Sequence, residues 1–62
     1  MTFNLSLDMD NAAFVDAPSG AELARILRAL ADRLDGEPTP AGSGGKLRDV
    51  NGNTCGDWRV SD

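Results

Sequence analysis

Residues 2–9 alternate without exception between apolar and polar side chains. The apolar positions are Phe3, Leu5, Leu7 and Met9, and the polar positions between them are Thr2, Asn4, Ser6 and Asp8. An alternation with period two is typical of a β-strand that has one face on the core and the other in water. The pattern therefore predicts a strand over residues 2–9 with its apolar side chains on the core.

A connecting segment that ends at Pro18 follows, and we expect its Phe14 to fold back onto the core. Ser19 stands three residues before Glu22, as in a capping box, where each side chain bonds the other residue's backbone N–H. Gly36 suits the left-handed conformation that closes a helix. Between these signals, apolar residues at helical spacing form one stripe, at Leu23, Ile26, Leu27, Leu30 and Leu34. The sequence predicts a helix over residues 20–35.

Residues 36–45 contain two prolines and four glycines, which predicts a flexible linker. After it, an Asn-Gly pair stands between two apolar runs and predicts a hairpin over residues 46–60. Two registers are open: a two-residue loop pairs Val50 with Asn53, whereas a three-residue loop pairs Asp49 with Asn53. The second register requires a β-bulge at Gly56 to bring four side chains onto one face, those of Leu47, Cys55, Trp58 and Val60.

These elements define an α+β fold of the order β-α-β-β. One amphipathic helix packs on a three-stranded, mainly antiparallel sheet, in a single small domain over residues 1–62. The pattern does not fix the strand order. We expect the first strand to pair antiparallel with the last, because that pairing needs no parallel ladder. The predicted core is Phe3, Leu5, Leu7, Leu23, Ile26, Leu27, Leu30, Leu34, Leu47 and Trp58.

A chain of this length buries only about 60% of the surface that its unfolded form exposes, so its core is marginal. Domains of this size usually need a disulfide, a metal or a partner subunit. The single cysteine excludes an internal disulfide, and the absence of histidine removes the commonest metal ligand. Self-association is the device that remains. Since nothing blunts the edge of the first strand, we expect a homodimer that forms through the sheet.

The composition also argues against catalysis. Cys55 and the serines lack a histidine base, and we expect Cys55 to pack as a small apolar side chain. The stretch "DVNGN" resembles the start of a calcium loop, but its glycine falls one position early and Val60 stands where the loop needs a glutamate. We therefore expect no enzyme, no catalytic residue, no metal and no cofactor.

The net charge of −4 is spread unevenly, because the first third of the chain is acidic and has no basic residue. An acidic balance argues against nucleic acid as the main ligand and is compatible with a basic protein partner. The candidate partner-binding residues are Asp8, Asp10, Asp16 and Phe14. As an alternative, Arg25 and Arg28 on the helix and Arg48 on the hairpin would hold a phosphate or nucleotide at a subunit interface.

No stretch approaches the roughly 20 apolar residues that a membrane span requires. The N-terminus lacks the basic and apolar regions of a signal peptide. A lone thiol suits a reducing compartment. These features predict a cytoplasmic location and no contact with a membrane.

The segments "DNAAF", "GAELARILRALADRLDG" and "GGKLRDVNGNTCGDWRV" follow the first strand in this order. Together they resemble a type of short orphan protein from phages of high-GC bacteria and their hosts. The resemblance implies a location in the cytoplasm of the bacterial host, and it implies no catalytic or binding residue. Some small acidic phage proteins of similar size are anti-defence factors, anti-CRISPR inhibitors or signal-nucleotide sponges.

With the absence of catalytic groups, the resemblance leads us to expect a non-enzymatic binding protein. It would inhibit a larger host or defence protein by stoichiometric contact. The first alternative is a homo-oligomer that binds a small anionic ligand or nucleotide at its interface. The second is a structural oligomer without a ligand.

Overall fold

The strands of the chain form one antiparallel sheet, in a computed structural model that describes residues 1–15 and 18–62. The strand order is β1-β3-β2, so that the last strand is central and pairs with both others. The elements are β1 (Thr2–Leu7), α1 (Ala12–Val15), α2 (Ser19–Leu34), β2 (Gly44–Arg48) and β3 (Thr54–Ser61). The predicted α+β fold and the antiparallel pairing of the first strand with the last are confirmed. Self-association through β1 stays a prediction.

β1 ends at Leu7, two residues earlier than the alternation predicts. The backbone N–H of Asp8 still donates to the carbonyl of Cys55 at 2.7 Å. Beyond this bond, the Oδ1 atom of Asp8 accepts the backbone N–H of Asp10 at 3.0 Å. An aspartate that bonds the chain two residues ahead favours a turn over an extended strand. This turn leads into α1, a single helical turn that the sequence pattern does not predict.

α2 begins and ends within one residue of the predicted helix, but the predicted capping box is wrong. Pro18 occupies the N-cap position, and no side chain caps the first turn. Glu22 is only 8% exposed and contacts Arg25 and the hairpin turn instead of the backbone of Ser19. A carboxylate with a nearby guanidinium forms charge-assisted bonds, which are stronger than a bond to a neutral N–H. After α2, Gly36 has a φ of +80°, as its position at the helix end predicts.

The hairpin adopts the three-residue loop, with Asp49 paired to Asn53. The N–H of Asp49 donates to the carbonyl of Asn53 at 2.9 Å, and Gly52 has a φ of +85°. Leu47 lies opposite Gly56 whereas Arg48 lies opposite Thr54, so that Cys55 is the extra residue of a β-bulge. A bulge is therefore present as predicted, but it lies at Cys55, one residue before the predicted position at Gly56. The expected consequence is observed, since the side chains of Leu47, Cys55, Trp58 and Val60 are all buried.

The predicted linker is shorter than residues 36–45, because β2 begins at Gly44. Just before this strand, the backbone N–H of Gly42 and the carbonyl of Ser43 both bond Val60, at 2.8 Å each. The chain is thus already paired with β3 where the glycine content predicts flexibility. The ladder to β3 holds this segment although glycine weakens a strand by itself.

The core lies between α2 and the sheet and consists of Phe14, Ile26, Leu30, Leu47, Cys55, Trp58 and Val60. Phe14 folds back onto the core, as expected. Two predicted core residues are wrong: Phe3 is 49% exposed and Leu27 is 41% exposed. α2 packs against α1 and β2, so it does not cover Phe3, which stacks on Trp58 with ring centroids 5.8 Å apart. Leu27 lies on the flank of the apolar stripe.

Gly56 allows β1 to approach β3 closely at the bulge. A Cβ at this position would overlap the carbonyl oxygen of Ser6 and lie 2.9 Å from the Cα of Leu7. Because both obstacles are backbone atoms, Gly56→Ala should lower the free energy of unfolding by about 1–3 kcal/mol or more. Gly20→Ala is the control, since nothing lies within 4 Å of its Cβ and alanine favours a helix. Urea denaturation of both variants tests this, and equal stabilities would contradict it.

The leucines of α2 differ in how deeply they are buried, although their spacing places all of them in one apolar stripe. Leu30 is buried in the core whereas Leu27 is exposed on the flank. Leu30→Ala should therefore cost about 2–5 kcal/mol of unfolding free energy, and Leu27→Ala should cost clearly less. Thermal denaturation followed by circular dichroism measures both changes. A larger loss for Leu27→Ala than for Leu30→Ala would show that the helix faces the sheet differently.

Candidate functional site: a basic groove between the helix and an edge strand

Glu22 connects α2 to the turn of the hairpin. Its Oε1 atom accepts the Nε–H of Arg25 at 2.6 Å, and its Oε2 atom accepts from the Nη2 of Arg25 at 3.1 Å. The same Oε2 atom accepts the backbone N–H of Val50 at 2.8 Å. The Nη2 of Arg25 also reaches the carbonyl of Arg48, at 3.5 Å. These bonds fix the position of the helix beside β2.

The hydrogen bonds between Glu22 and Arg25 favour the ionised form of both side chains. The hydrogen bond from Arg25 lowers the pKa of Glu22 below its ordinary value, although burial opposes the shift. The same bond raises the pKa of Arg25. A folded protein that holds a carboxylate in this way is more stable when the carboxylate is ionised. The pair therefore stabilises the fold. The Nε–Nη2 edge of the Arg25 guanidinium is engaged by Glu22 and is not free for a ligand.

Asp49 organises the hairpin turn from inside. Its Oδ1 atom accepts the backbone N–H groups of Asn51 and Asn53, both at 2.9 Å. Its Oδ2 atom is buried and has no hydrogen-bond partner among the residues that the structure describes. An aspartate that bonds its own turn in this way replaces backbone hydrogen bonds that the loop lacks. Asp49 is therefore a structural residue of the turn.

A groove of about 170 Å³ lies between α2 and β2. Its apolar floor comes from both elements, and four basic side chains line it. Within residues 1–15 and 18–62, no carboxylate contributes to its lining. Because the chain has six basic residues in total and a net charge of −4, two thirds of its positive charges lie at one place. The lining residues are Arg25, Ile26, Ala29, Leu30, Arg33, Lys46, Leu47 and Arg48.

Three of these four cations are not engaged by carboxylates in residues 1–15 and 18–62. The ion pair that the structure contains there joins Arg25 to Glu22. Arg33, Lys46 and Arg48 are exposed and have no carboxylate oxygen within 4.0 Å in those ranges. Clefts that carry one sign of charge concentrate the electric field and attract ligands of the opposite sign. The groove is therefore suited to anionic groups.

The arginines predicted to bind an anion are only partly brought together. Arg25 and Arg48 line the groove, whereas Arg28 does not. Arg33 and Lys46 belong to the groove and were not predicted. Arg33 had a signal in the sequence, because Arg25, Ala29 and Arg33 follow one another at four-residue spacing and share a side of the helix. Lys46 had no such signal in the sequence, because its position beside α2 depends on the strand order, which the sequence pattern does not fix.

Of the described residues predicted to contact a basic partner, the two aspartates are exposed whereas Phe14 is buried. Asp8 and Asp10 are exposed in the turn after β1, where the Asp8 carboxylate bonds the Asp10 backbone. Phe14 is only 4% exposed, so its side chain belongs to the core and offers no contact to a partner. Asp16 lies outside the described residues. Asp8 and Asp10 thus lie together in one exposed turn, and the side chain of Phe14 is not part of that surface.

A second depression, of about 250 Å³, lies beside the start of β2 and is a weaker candidate. Its lining combines Lys46 and Arg59 with Asp57, so charges of both signs are present. The rest of the lining comes from glycines and Trp58. Such a mixed lining offers no preference for one charge, unlike the groove beside α2.

Cys55 is buried, and burial raises the pKa of its thiol. Its Sγ donates to the carbonyl of Leu47 at 3.6 Å. A thiol becomes a nucleophile as the thiolate, which this environment disfavours. Cys55 therefore packs as a small side chain. In the ranges 1–15 and 18–62, no group of three or more Cys, Asp and Glu side chains is placed to hold a metal ion.

Comparisons with protein-family models, with curated proteins and with solved structures give no match to this chain. Over the described residues, the helices are too short or too polar to cross a lipid bilayer.

The Glu22 contact makes stability depend on pH. Because the pKa of Glu22 is lowered on folding, the contact stabilises the protein fully above the ordinary pKa of a glutamate, about 4.3. The contribution is lost as the pH falls through the lower value of the folded state. Glu22→Gln should therefore be less stable than the original protein at neutral pH, and the difference should shrink in acid. Urea denaturation over a series of pH values measures it.

Glu37→Gln is the control for the loss of one negative charge, since Glu37 is exposed beyond the end of α2. A difference between Glu22→Gln and the original protein that stays constant from neutral pH to acid would contradict the role given to the carboxylate.

Proposed function

We propose that the protein is a non-enzymatic binding protein that acts by stoichiometric contact, and that the groove between α2 and β2 binds an acidic segment of a larger partner protein. The observation that carries this proposal is the concentration of four of six basic residues around one groove, to whose lining the described part of the chain contributes no carboxylate. In an acidic chain, dispersed basic residues would reduce repulsion among the carboxylates. Their concentration at one groove favours a ligand there.

The size of the groove favours a protein segment over a nucleotide. Pockets that enclose small molecules usually have volumes of about 300–1,000 Å³, and this groove has about 170 Å³. A nucleotide would remain mostly outside it. A side-chain carboxylate needs much less room, and the remainder of a protein partner would gain contacts on the surrounding surface.

The floor of the groove favours a partner segment that also carries apolar side chains. Ile26 and Leu30 from α2 and Leu47 from β2 contribute to the lining next to the cations. Purely electrostatic contacts at a surface are weak, since exposed ion pairs contribute about 0.2–1 kcal/mol each. Apolar side chains on the floor would add burial to the charge attraction. The resemblance in sequence implies a bacterial host or defence protein as the larger partner, and we retain that class in the proposal.

The proposal predicts that charge reversal in the groove weakens binding of an acidic peptide. The probe is a synthetic peptide of alternating Val and Glu, and the reference is the same peptide with Gln for Glu. The double variant Arg33→Glu/Lys46→Glu should bind the Glu peptide about tenfold or more weakly, because two attractive pairs become repulsive. Isothermal titration calorimetry at two salt concentrations measures the affinity, which should fall with salt.

Arg28→Glu is the matched control, since Arg28 is an exposed arginine of the same helix that does not line the groove. It should retain most of the affinity. Equal binding of the Glu and Gln peptides, or an equal loss from Arg28→Glu and from the groove variant, would contradict the proposal.

A further inference from the structure

β2 is an edge strand, and three of its five residues direct their backbone groups away from the sheet. The carbonyl of Ser43 accepts from Val60, and the N–H of Asp49 donates to Asn53, so residues 43 and 49 both face β3. Successive residues of an antiparallel strand direct their backbone groups to opposite sides. Gly44, Lys46 and Arg48 therefore direct their N–H and C=O groups outward, to the side on which no described strand pairs.

The contact between Arg25 and the carbonyl of Arg48 agrees with this assignment. The Arg25 guanidinium comes from α2, outside the sheet, and reaches that carbonyl at 3.5 Å. One outward carbonyl of β2 is thus already occupied at the turn end. At the middle of the strand, the N–H and C=O of Lys46 face the groove edge. A backbone N–H and C=O on the same outward residue can bind one residue of an added strand.

The side chains around this edge select what kind of strand can be added. Lysine on an edge strand normally discourages pairing with other strands. If two β2 strands paired, Lys46 would lie opposite Lys46 or Arg48 of the second copy in the central registers, and like charges directly opposite are destabilising. The same two cations would attract carboxylates. The edge of β2 therefore discriminates against a second copy of this strand and in favour of an acidic one.

We propose that the acidic segment of the partner binds as an extended strand that is added to the free edge of β2. This inference rests on the function proposed above and specifies how the groove is used. Leu47 is buried on the helix side of β2, whereas Lys46 and Arg48 are exposed on either side of it in sequence. An added strand alternates in the same way. Its acidic side chains lie beside Lys46 and Arg48, and its apolar side chains lie over the floor formed by Ile26, Leu30 and Leu47.

The test uses the alternating Val and Glu peptide and a second version whose backbone amides that face β2 are N-methylated. N-methylation removes hydrogen bonds and keeps every side chain and charge. The methylated peptide should bind about tenfold or more weakly, because the backbone bonds to Lys46 are lost. In hydrogen exchange followed by NMR, the Lys46 amide should exchange more slowly in the complex with the unmodified peptide.

Two variants test the same bond from the side of the protein. Lys46→Ala removes the charge and keeps the outward N–H, whereas Lys46→Pro removes both. Proline is tolerated on edge strands where its missing N–H faces solvent. Lys46→Pro should bind the unmodified peptide clearly more weakly than Lys46→Ala. If Lys46→Pro does not fold, the affinities of the original protein for the methylated and unmodified peptides still test whether the partner binds as an added strand.

The outcomes separate this inference from the proposed function. Equal affinity for both peptides, with unchanged exchange at Lys46, would overturn strand addition and leave the basic groove as the binding site. No binding of either peptide would overturn both proposals. Protection of the Lys46 amide in the protein alone, with a mass that rises with concentration, would overturn the inference by showing that a second copy occupies the edge.

Discussion

The buried carboxylate of Glu22 is the contact on which the candidate site depends. It joins a helix to a hairpin turn that is 28 residues away in the sequence. It accepts three hydrogen bonds, two from Arg25 and one from the Val50 backbone. Carboxylates are rarely buried unless they are paired, and here the pairing also sets where α2 lies beside β2. The width of the groove follows from that placement, because α2 forms one of its walls and β2 forms the other.

This arrangement separates the roles of the cations. Arg25 is held by Glu22 and contacts the carbonyl of Arg48, so it stabilises the fold as well as lining the groove. Arg33, Lys46 and Arg48 have no such partner among the described residues, and all three line the groove. In this pair Glu22 is buried whereas Arg25 is 45% exposed, and the pair both favours the ionised carboxylate and fixes α2 beside β2. The value of the Glu22–Arg25 pair for this protein therefore lies in positioning as much as in stability.

Much of the fold follows from local signals in the sequence. Alternation predicts β1 and helical spacing predicts α2. The Asn-Gly pair predicts the hairpin but leaves two registers open, and Gly56 indicates a bulge that the structure has at Cys55. The errors concern interactions between distant parts of the chain. Ser19 and Glu22 form a capping box by spacing alone, but Arg25 and Val50 engage the carboxylate of Glu22. Phe3 shares the helix-facing side of the sheet with its ladder partner Val60, but it is exposed because α2 packs against β2 and does not extend over Phe3 on the opposite edge strand. Lys46 becomes a site residue only when β2 is an edge strand.

The free edge of β2 links the stability of the domain to the binding of a partner. A domain of about 60 residues is expected to be stable by only about 3–9 kcal/mol, and β2 is held by β3 on one side and by the Glu22 contact at its turn. A strand added to β2 would bind the folded state and not the unfolded chain, and such ligands raise stability in proportion to the logarithm of their concentration. The small core and the unpaired basic edge are thus complementary features. The domain is marginal alone, and the segment that we propose as its partner supplies hydrogen bonds and apolar contacts at the edge that its own sheet leaves open.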